Sequence, residues 1–144
     1  MLNEEGMEVI YGEDLGVPEE KKLTSLFDKP VFVTHYPKEI KAFYMKRDEE
    51  DDTKVLGYDL LVPHVGELIG GSCRETSIES LEQRLEEEGE DPAIYEWFLD
   101  TRRYGSVPHA GYGLGIERVI MWLCNLDHIR DAVPFPRTPN RCRP

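Results

Sequence analysis

Between positions 55 and 73 the sequence commits the chain to an antiparallel sheet. In Val55–Val62, the residues Leu56, Tyr58, Leu60 and Val62 fall on one face, and Val55, Gly57, Asp59 and Leu61 on the other. Pro63-His64 breaks the run, and Val65–Cys73 resumes it with adjacent glycines at 70 and 71. Two extended runs on either side of so short a break read as a hairpin, and hairpins join antiparallel strands. Val31–His35 reads as a further buried strand and Lys41–Lys46 as another, with Tyr36-Pro37 as the break between them.

Helices come late. Thr76 and Glu79 have capping-box spacing, Ile78, Leu81 and Leu85 form an apolar stripe, and Gly89 ends that helix. A second starts at Asp91 with Pro92 in first position and runs to about Tyr104, where Gly105 stops it. A third opens after the glycines at 111–115 and carries Val119, Ile120, Trp122 and Leu123 inward. Upstream, Met1–Gly6 reads as the tail of a helix closed by Gly6, followed by an extended piece at Glu8–Tyr11. An opening of that kind suggests that sequence precedes it. The fold class is α+β, an antiparallel sheet flanked by helices.

Composition excludes several functions. The net charge is −12, and it is uneven: residues 1–100 carry 26 acids and 10 bases, residues 101–144 only 3 acids and 7 bases. A generic basic nucleic-acid domain is therefore excluded for the chain as a whole, while its positive end could serve a phosphate-bearing ligand. The longest apolar stretch, Val119 to Leu126, is too short to span a bilayer, and the acidic N-terminus carries no signal-peptide pattern. Cys73, Cys124 and Cys142 give neither a disulfide framework nor a zinc spacing, which suits a reducing cytoplasm. Glu49–Asp52 reads as a solvated loop.

Four features could carry chemistry. If Pro63 is the hairpin tip, Asp59 and Glu67 lie nearly opposite each other, about 5 Å apart, where like charges repel unless a hard cation such as magnesium sits between them. The alternative is two exposed acids on a solvated sheet face. Arg74 follows Gly70-Gly71, the signature of a bulge that would turn Glu67 and Arg74 to one side; otherwise it is an ordinary surface arginine. In Gly111-Tyr-Gly-Leu-Gly-Ile-Glu117-Arg118, free amides at a helix start and Arg118 in the first turn suit an anion. The plainer alternative is close packing through the glycines with Arg118 salt-bridged. This is neither a dinucleotide fingerprint nor a P-loop. His109 could line a pocket beside the glycines, whereas His64 at the tip is exposed. The arginines at 137, 141 and 143 form a basic tail that either is plain surface charge or meets a phosphate ligand or partner subunit.

These segments together resemble a known family. Residues 111–144, GYGLGIERVIMWLCNLDHIRDAVPFPRTPNRCRP, resemble the third signature motif (at 111–124) and C-terminus of class II aminoacyl-tRNA synthetases of the aspartate, asparagine and lysine group. PVFVTHYPKEIKAFYMK at 30–46, YDLLVPHVGELIGGSCRE at 58–75 and RRYGSVPHAGYGLGIER at 102–118 are most similar to the asparaginyl enzymes.

The resemblance implies a role for each matching residue. Glu67 would bind magnesium bridging the ATP phosphates, with Asp59 a nearby acid in the same metal environment. Gly70 stands where aspartyl enzymes often carry a serine touching metal and amino acid, and Arg74 would read the substrate amino acid. Gly115, Ile116, Glu117 and Arg118 would contact ATP, with Arg118 and Glu67 the catalytic charges. It implies a class II antiparallel sheet, a homodimer in the complete enzyme, ATP and magnesium as cofactors, and ATP-dependent activation of asparagine with transfer to tRNA. Residues 1–144 would be the C-terminal part of the catalytic domain, with motifs one and two and the anticodon-binding domain upstream. Such a chain would be inactive without the upstream half. An aspartyl enzyme, an asparagine synthetase on the same core, and a non-catalytic paralogue binding nucleotide or a partner are the alternatives.

Overall fold

The hairpin read from the sequence forms the middle of the sheet. In the computed structural model, which describes residues 1–143, the strands are β1 (Val31–Pro37), β2 (Lys54–Val62), β3 (Gly66–Cys73) and β4 (Ala110–Leu114). They lie in the order β1-β2-β3-β4 in one antiparallel sheet. Four α-helices accompany it: α1 (Val17–Thr24), α2 (Ile78–Glu87), α3 (Glu96–Arg103) and α4 (Ile116–Cys124). The α+β class thus holds. Pro144, the last residue of the 111–144 resemblance, lies outside the described residues.

The turn between β2 and β3 covers 63–65, and His64 adopts a left-handed φ of 69° there, with Gly66 following at φ 93°. His64 is exposed, as expected of a tip. Burial along β3 alternates from Gly66 to Ile69, then slips at Gly70, after which Gly71 and Ser72 are both buried.

The chain divides into two compact units. One comprises Met1–Val33, Asp59–Gly70 and the segment from Gly113 onward; the other comprises Thr34–Tyr58 and Gly71–Tyr112. In the first, the buried side chains are Thr24, Leu61, Val62, Leu68 and Ala132. In the second, Tyr36, Val55, Leu81, Leu85 and Leu99 are buried, and Arg84 joins them at 5% exposure. Arg84 survives there because it donates to the carbonyls of Lys38 and Lys41 and pairs with Glu88 at 2.9 Å.

Several expectations are corrected. Lys41–Lys46 is not a strand: it is irregular with a turn at 43–44, and its one bridge, at Met45, is isolated, as is that of Arg47 just beyond. Its apolar residues serve a ring cluster instead, Phe43 lying 4.9 Å from Tyr95 and 5.5 Å from Phe98. β1 runs through Tyr36 to Pro37, and a short 3-10 turn at Lys38–Ile40 follows. Gly6 closes a 3-10 turn, Asn3–Glu5, with φ 80°, but Glu8–Tyr11 forms no strand. The cap of α2 is Ser77, whose side chain accepts the Ser80 amide, rather than Thr76. Asp91 caps a 3-10 turn, Pro92–Tyr95, that leads into α3. Before α4, the glycine-rich stretch that reads in the sequence only as a helix start contributes a strand, β4.

The largest correction concerns α4. Val119, Ile120, Trp122 and Leu123 were expected to point inward, yet the helix buries none of its residues, and Leu123 is 72% exposed. Apolar spacing says that a helix has an apolar face, not what covers it. α1 was not anticipated, although Gly16-Val17-Pro18-Glu19-Glu20 places proline and acids where a first turn wants them.

Candidate functional site

In the first unit the carboxylates of Asp59 and Glu67 converge on Gly70. A Cβ built on Gly70 would lie 2.5 Å from Glu67 Oε1 and 3.0 Å from Asp59 Oδ1, so both oxygens crowd the space that a side chain would take. The absence of a side chain at 70 is what lets the two acids approach. The two exposed, solvated acids of the plainer alternative would not need such a cradle; both are half-buried.

Arg118, in the first turn of α4, completes this cluster. Its Nη1 donates to the Glu67 carbonyl at 2.5 Å and lies 3.3 Å from Glu67 Oε2. Gly115 makes room for that reach, since a Cβ there would sit 3.3 Å from the Arg118 side chain, and its N–H donates to Leu68 O at 3.2 Å. The Arg118 and Glu67 side chains are 44% and 37% exposed, so the pair contributes at most about 1 kcal/mol to stability. A base in the first turn also opposes the helix dipole. The pairing with Glu67 is also what the plainer alternative of a salt-bridged Arg118 expects. Ile116 and Glu117 occupy the same first turn with exposed side chains.

A third carboxylate was missed in the sequence. Glu20 on α1 accepts the Glu67 amide with Oε2 at 2.9 Å. Burial pushes its carboxyl above the usual range; the Glu67 N–H pulls it down, and the charges of Glu67 and Asp59 push upward against the pull of Arg118. The missing signal was α1 itself, because a glutamate in an unassigned segment looks like one of 29 acids.

Among the described residues no group of three or more His, Cys, Asp or Glu side chains is arranged to hold a metal. Two carboxylates over a glycine nonetheless fit magnesium, which keeps most of its shell as water and phosphate oxygen and takes one or two protein carboxylates.

The second unit holds Arg74. Its guanidinium lies 4.6 Å from the Tyr44 ring centre, and its backbone N–H donates to His109 O at 2.9 Å. Gly111 permits that position: a Cβ there would lie 2.8 Å from Arg74 Nη2. No carboxylate among the described residues pairs with this guanidinium. Tyr44, Phe98, Arg102, His109 and Gly111 line the same hollow, with Arg102 stacked 4.2 Å over Phe98 and donating to Glu75 O at 3.1 Å. Burial, and then the neighbouring charge of Arg74, hold the Arg102 guanidinium below its ordinary value against the pull of Glu75. His109 is fixed by a 2.7 Å contact between Nδ1 and Val107 O. Such a hollow suits a small ligand with a polar or anionic end. Arg102 was the second residue the sequence reading passed over.

The model of the class II tRNA synthetases (D, K and N) matches residues 3–139. The chain is similar to the asparagine--tRNA ligase of Thermococcus gammatolerans, 56% identical over the whole of this chain and 34% of the relative. It is also similar to solved asparaginyl-tRNA synthetase structures from Pyrococcus horikoshii. One matches with a TM-score of 0.95 and 57% identity over 99% of this chain and 34% of the other. A second, complexed with asparaginyl-adenylate, matches with a TM-score of 0.94 and 57% identity over 99% and 33%. The chain thus spans about a third of the length of the relatives it matches. No described helix is long and apolar enough to cross a membrane. With its family model matched over residues 3–139, the chain belongs to the class II tRNA synthetases of the aspartate, lysine and asparagine group.

Proposed function

We propose that this chain is part of the catalytic domain of an asparagine--tRNA ligase and supplies the metal-phosphate and amino-acid contacts of its site. The observation that carries the reading is the carboxylate pair over Gly70 with Arg118 beside it, in a chain 56% identical to such a ligase. Glu67 and Asp59 would hold magnesium, which when bound neutralises phosphate charge. Arg118, with the backbone of Gly115, Ile116 and Glu117, would bind ATP. Arg74, whose charge no carboxylate of the described residues compensates, would take the polar end of asparagine.

The reaction would be the two-step one. An oxygen of the asparagine carboxylate attacks the α-phosphorus of ATP and pyrophosphate leaves; a ribose hydroxyl of tRNA then attacks the acyl carbon of the adenylate and AMP leaves. Chemistry of this kind depends on positioning and on charge placed in advance. The upstream half of the catalytic domain, tRNA and a second subunit would be partners, and free Cys73, Cys124 and Cys142 suit a reducing cytoplasm.

Amino-acid-dependent exchange of pyrophosphate into ATP tests this, with asparagine and aspartate run in parallel. The chain alone should give no exchange. Mixed with a polypeptide supplying the upstream motifs it should exchange with asparagine, and Arg118→Ala or Glu67→Gln should lower that rate at least about 100-fold. Exchange with aspartate but not asparagine would replace the substrate assignment. No exchange in any mixture, with ATP still bound, would leave a nucleotide-binding module.

A further inference from the structure

We infer that Glu20 is a positioning residue that fixes the backbone of Glu67 so that its carboxylate meets that of Asp59 over Gly70; the inference rests on the metal reading of those two acids. Glu20 Oε2 accepts the Glu67 N–H at 2.9 Å, and the carbonyl of the same residue accepts from Arg118 Nη1 at 2.5 Å. Both polar groups of Glu67's main chain are therefore tied down, the N–H by an anion on α1 and the C=O by a cation on α4. Hydrogen bonds to charged groups are shorter and stronger than neutral ones, and two of them on one residue leave only its side-chain torsions to vary.

Gly66 belongs to the same device. Its φ of 93° at the start of β3 suits glycine, and a Cβ there would collide with Glu20 Oε2. The bare backbone at 66 thus lets Glu20 come close enough to reach the next amide. Outer partners of this kind set the orientation of a metal's ligands without touching the metal. The arrangement separates two roles that a carboxylate near a cation could play. A direct ligand or a through-space charge requires the negative charge of Glu20. A positioning residue requires only its acceptor oxygen, which the amide of glutamine also offers.

The experiment uses the full 144-residue chain, nitrogen-15 labelled, with manganese alone as the probe. Two quantities are read: the exchange rate of the Glu67 amide hydrogen, and the manganese dissociation constant from broadening of the amide signals near Asp59 and Glu67. Glu20→Ala should speed the exchange and weaken manganese binding about tenfold each, whereas Glu20→Gln should stay within about threefold of the parent in both. Circular dichroism melts of both variants check folding, and the glutamine variant serves as the folded control. Equal losses in Glu20→Gln and Glu20→Ala would make Glu20 a ligand or a charge and overturn the inference. So would an alanine variant indistinguishable from the parent. Manganese that leaves Asp59 and Glu67 undisturbed, or binding that survives Glu67→Gln, would instead overturn the metal reading. The amide exchange would still decide whether Glu20 holds Glu67.

Discussion

At position 70 a methyl group would have nowhere to go that two carboxylate oxygens do not already occupy. The nearer is 2.5 Å from the site of such a Cβ, well inside van der Waals contact, and it belongs to the end of a flexible side chain. Gly70→Ala should therefore fold, with a melting temperature within about 3 °C of the parent, because Glu67 can swing aside at little cost. The cost falls on function: manganese binding should weaken about tenfold as the carboxylates part. Gly70→Ser forces the same displacement but adds a hard oxygen, so it should lose less than Gly70→Ala. Titration of manganese against both variants checks this, and a serine variant weaker than the alanine one would show that the space matters more than the donor. The same reasoning separates Arg118 from Arg84. Arg84 is buried and tied to two backbone carbonyls and to Glu88, whereas Arg118 is half-buried and spends its contacts on Glu67, a residue that has its own use.

Among the elements, α2 shows how a sequence can be right about a helix and one residue off about its start. Thr76 and Glu79 have capping spacing, but the Glu75 carboxylate accepts the amides of both Thr76 and Ser77 at 2.8 and 2.9 Å. That turn moves the cap forward, and Ser77 Oγ takes the Ser80 amide at 3.1 Å. Ser77→Ala should cost about 1 kcal/mol, which lowers the melting temperature by about 3 °C, while Thr76→Ala should cost only a few tenths. Thermal melts followed by circular dichroism decide between them; the reverse order would return the cap to Thr76. The hairpin, α2 and the Asp59–Glu67 pairing were legible because alternation, caps and short-range spacing are local signals, whereas Arg118, 51 residues from Glu67, is linked to them in the sequence only by the family resemblance. β4 was not, because two glycines in five residues leave little side-chain alternation to read, and only a neighbouring strand makes such a segment extended. Lys41–Lys46 misled for the opposite reason: its apolar residues read as an extended run, but Phe43 is spent on an aromatic cluster. Glu20 and Arg102 owe their places to long-range contacts that no window of sequence contains.

For the whole molecule, two forces between copies oppose each other. A net charge of −12 drives chains apart, while α4 offers Ile116, Ile120 and Leu123 on one helical face, exposed by 65%, 36% and 72%. Charge repulsion acts over the Debye length, about 10 Å at 0.1 M salt and about 3 Å at 1 M, whereas apolar contact needs no such range and is not screened. Raising salt should therefore favour self-association rather than dissolve it. Sedimentation should give a weight-average mass that rises between about 0.05 M and 1 M sodium chloride. Ile120→Lys with Leu123→Lys separates the two forces, because two added lysines lower the net charge in magnitude from −12 to −10. If charge alone governed association, that variant would associate more readily than the parent at every salt concentration. Removal of the apolar face predicts the opposite, a mass that stays constant up to 1 M, since weaker repulsion is of no use to surfaces with nothing left to bury. A parent chain whose mass ignores salt would show that α4 is not adhesive at all. A double variant that associates more strongly would assign the contact to another surface.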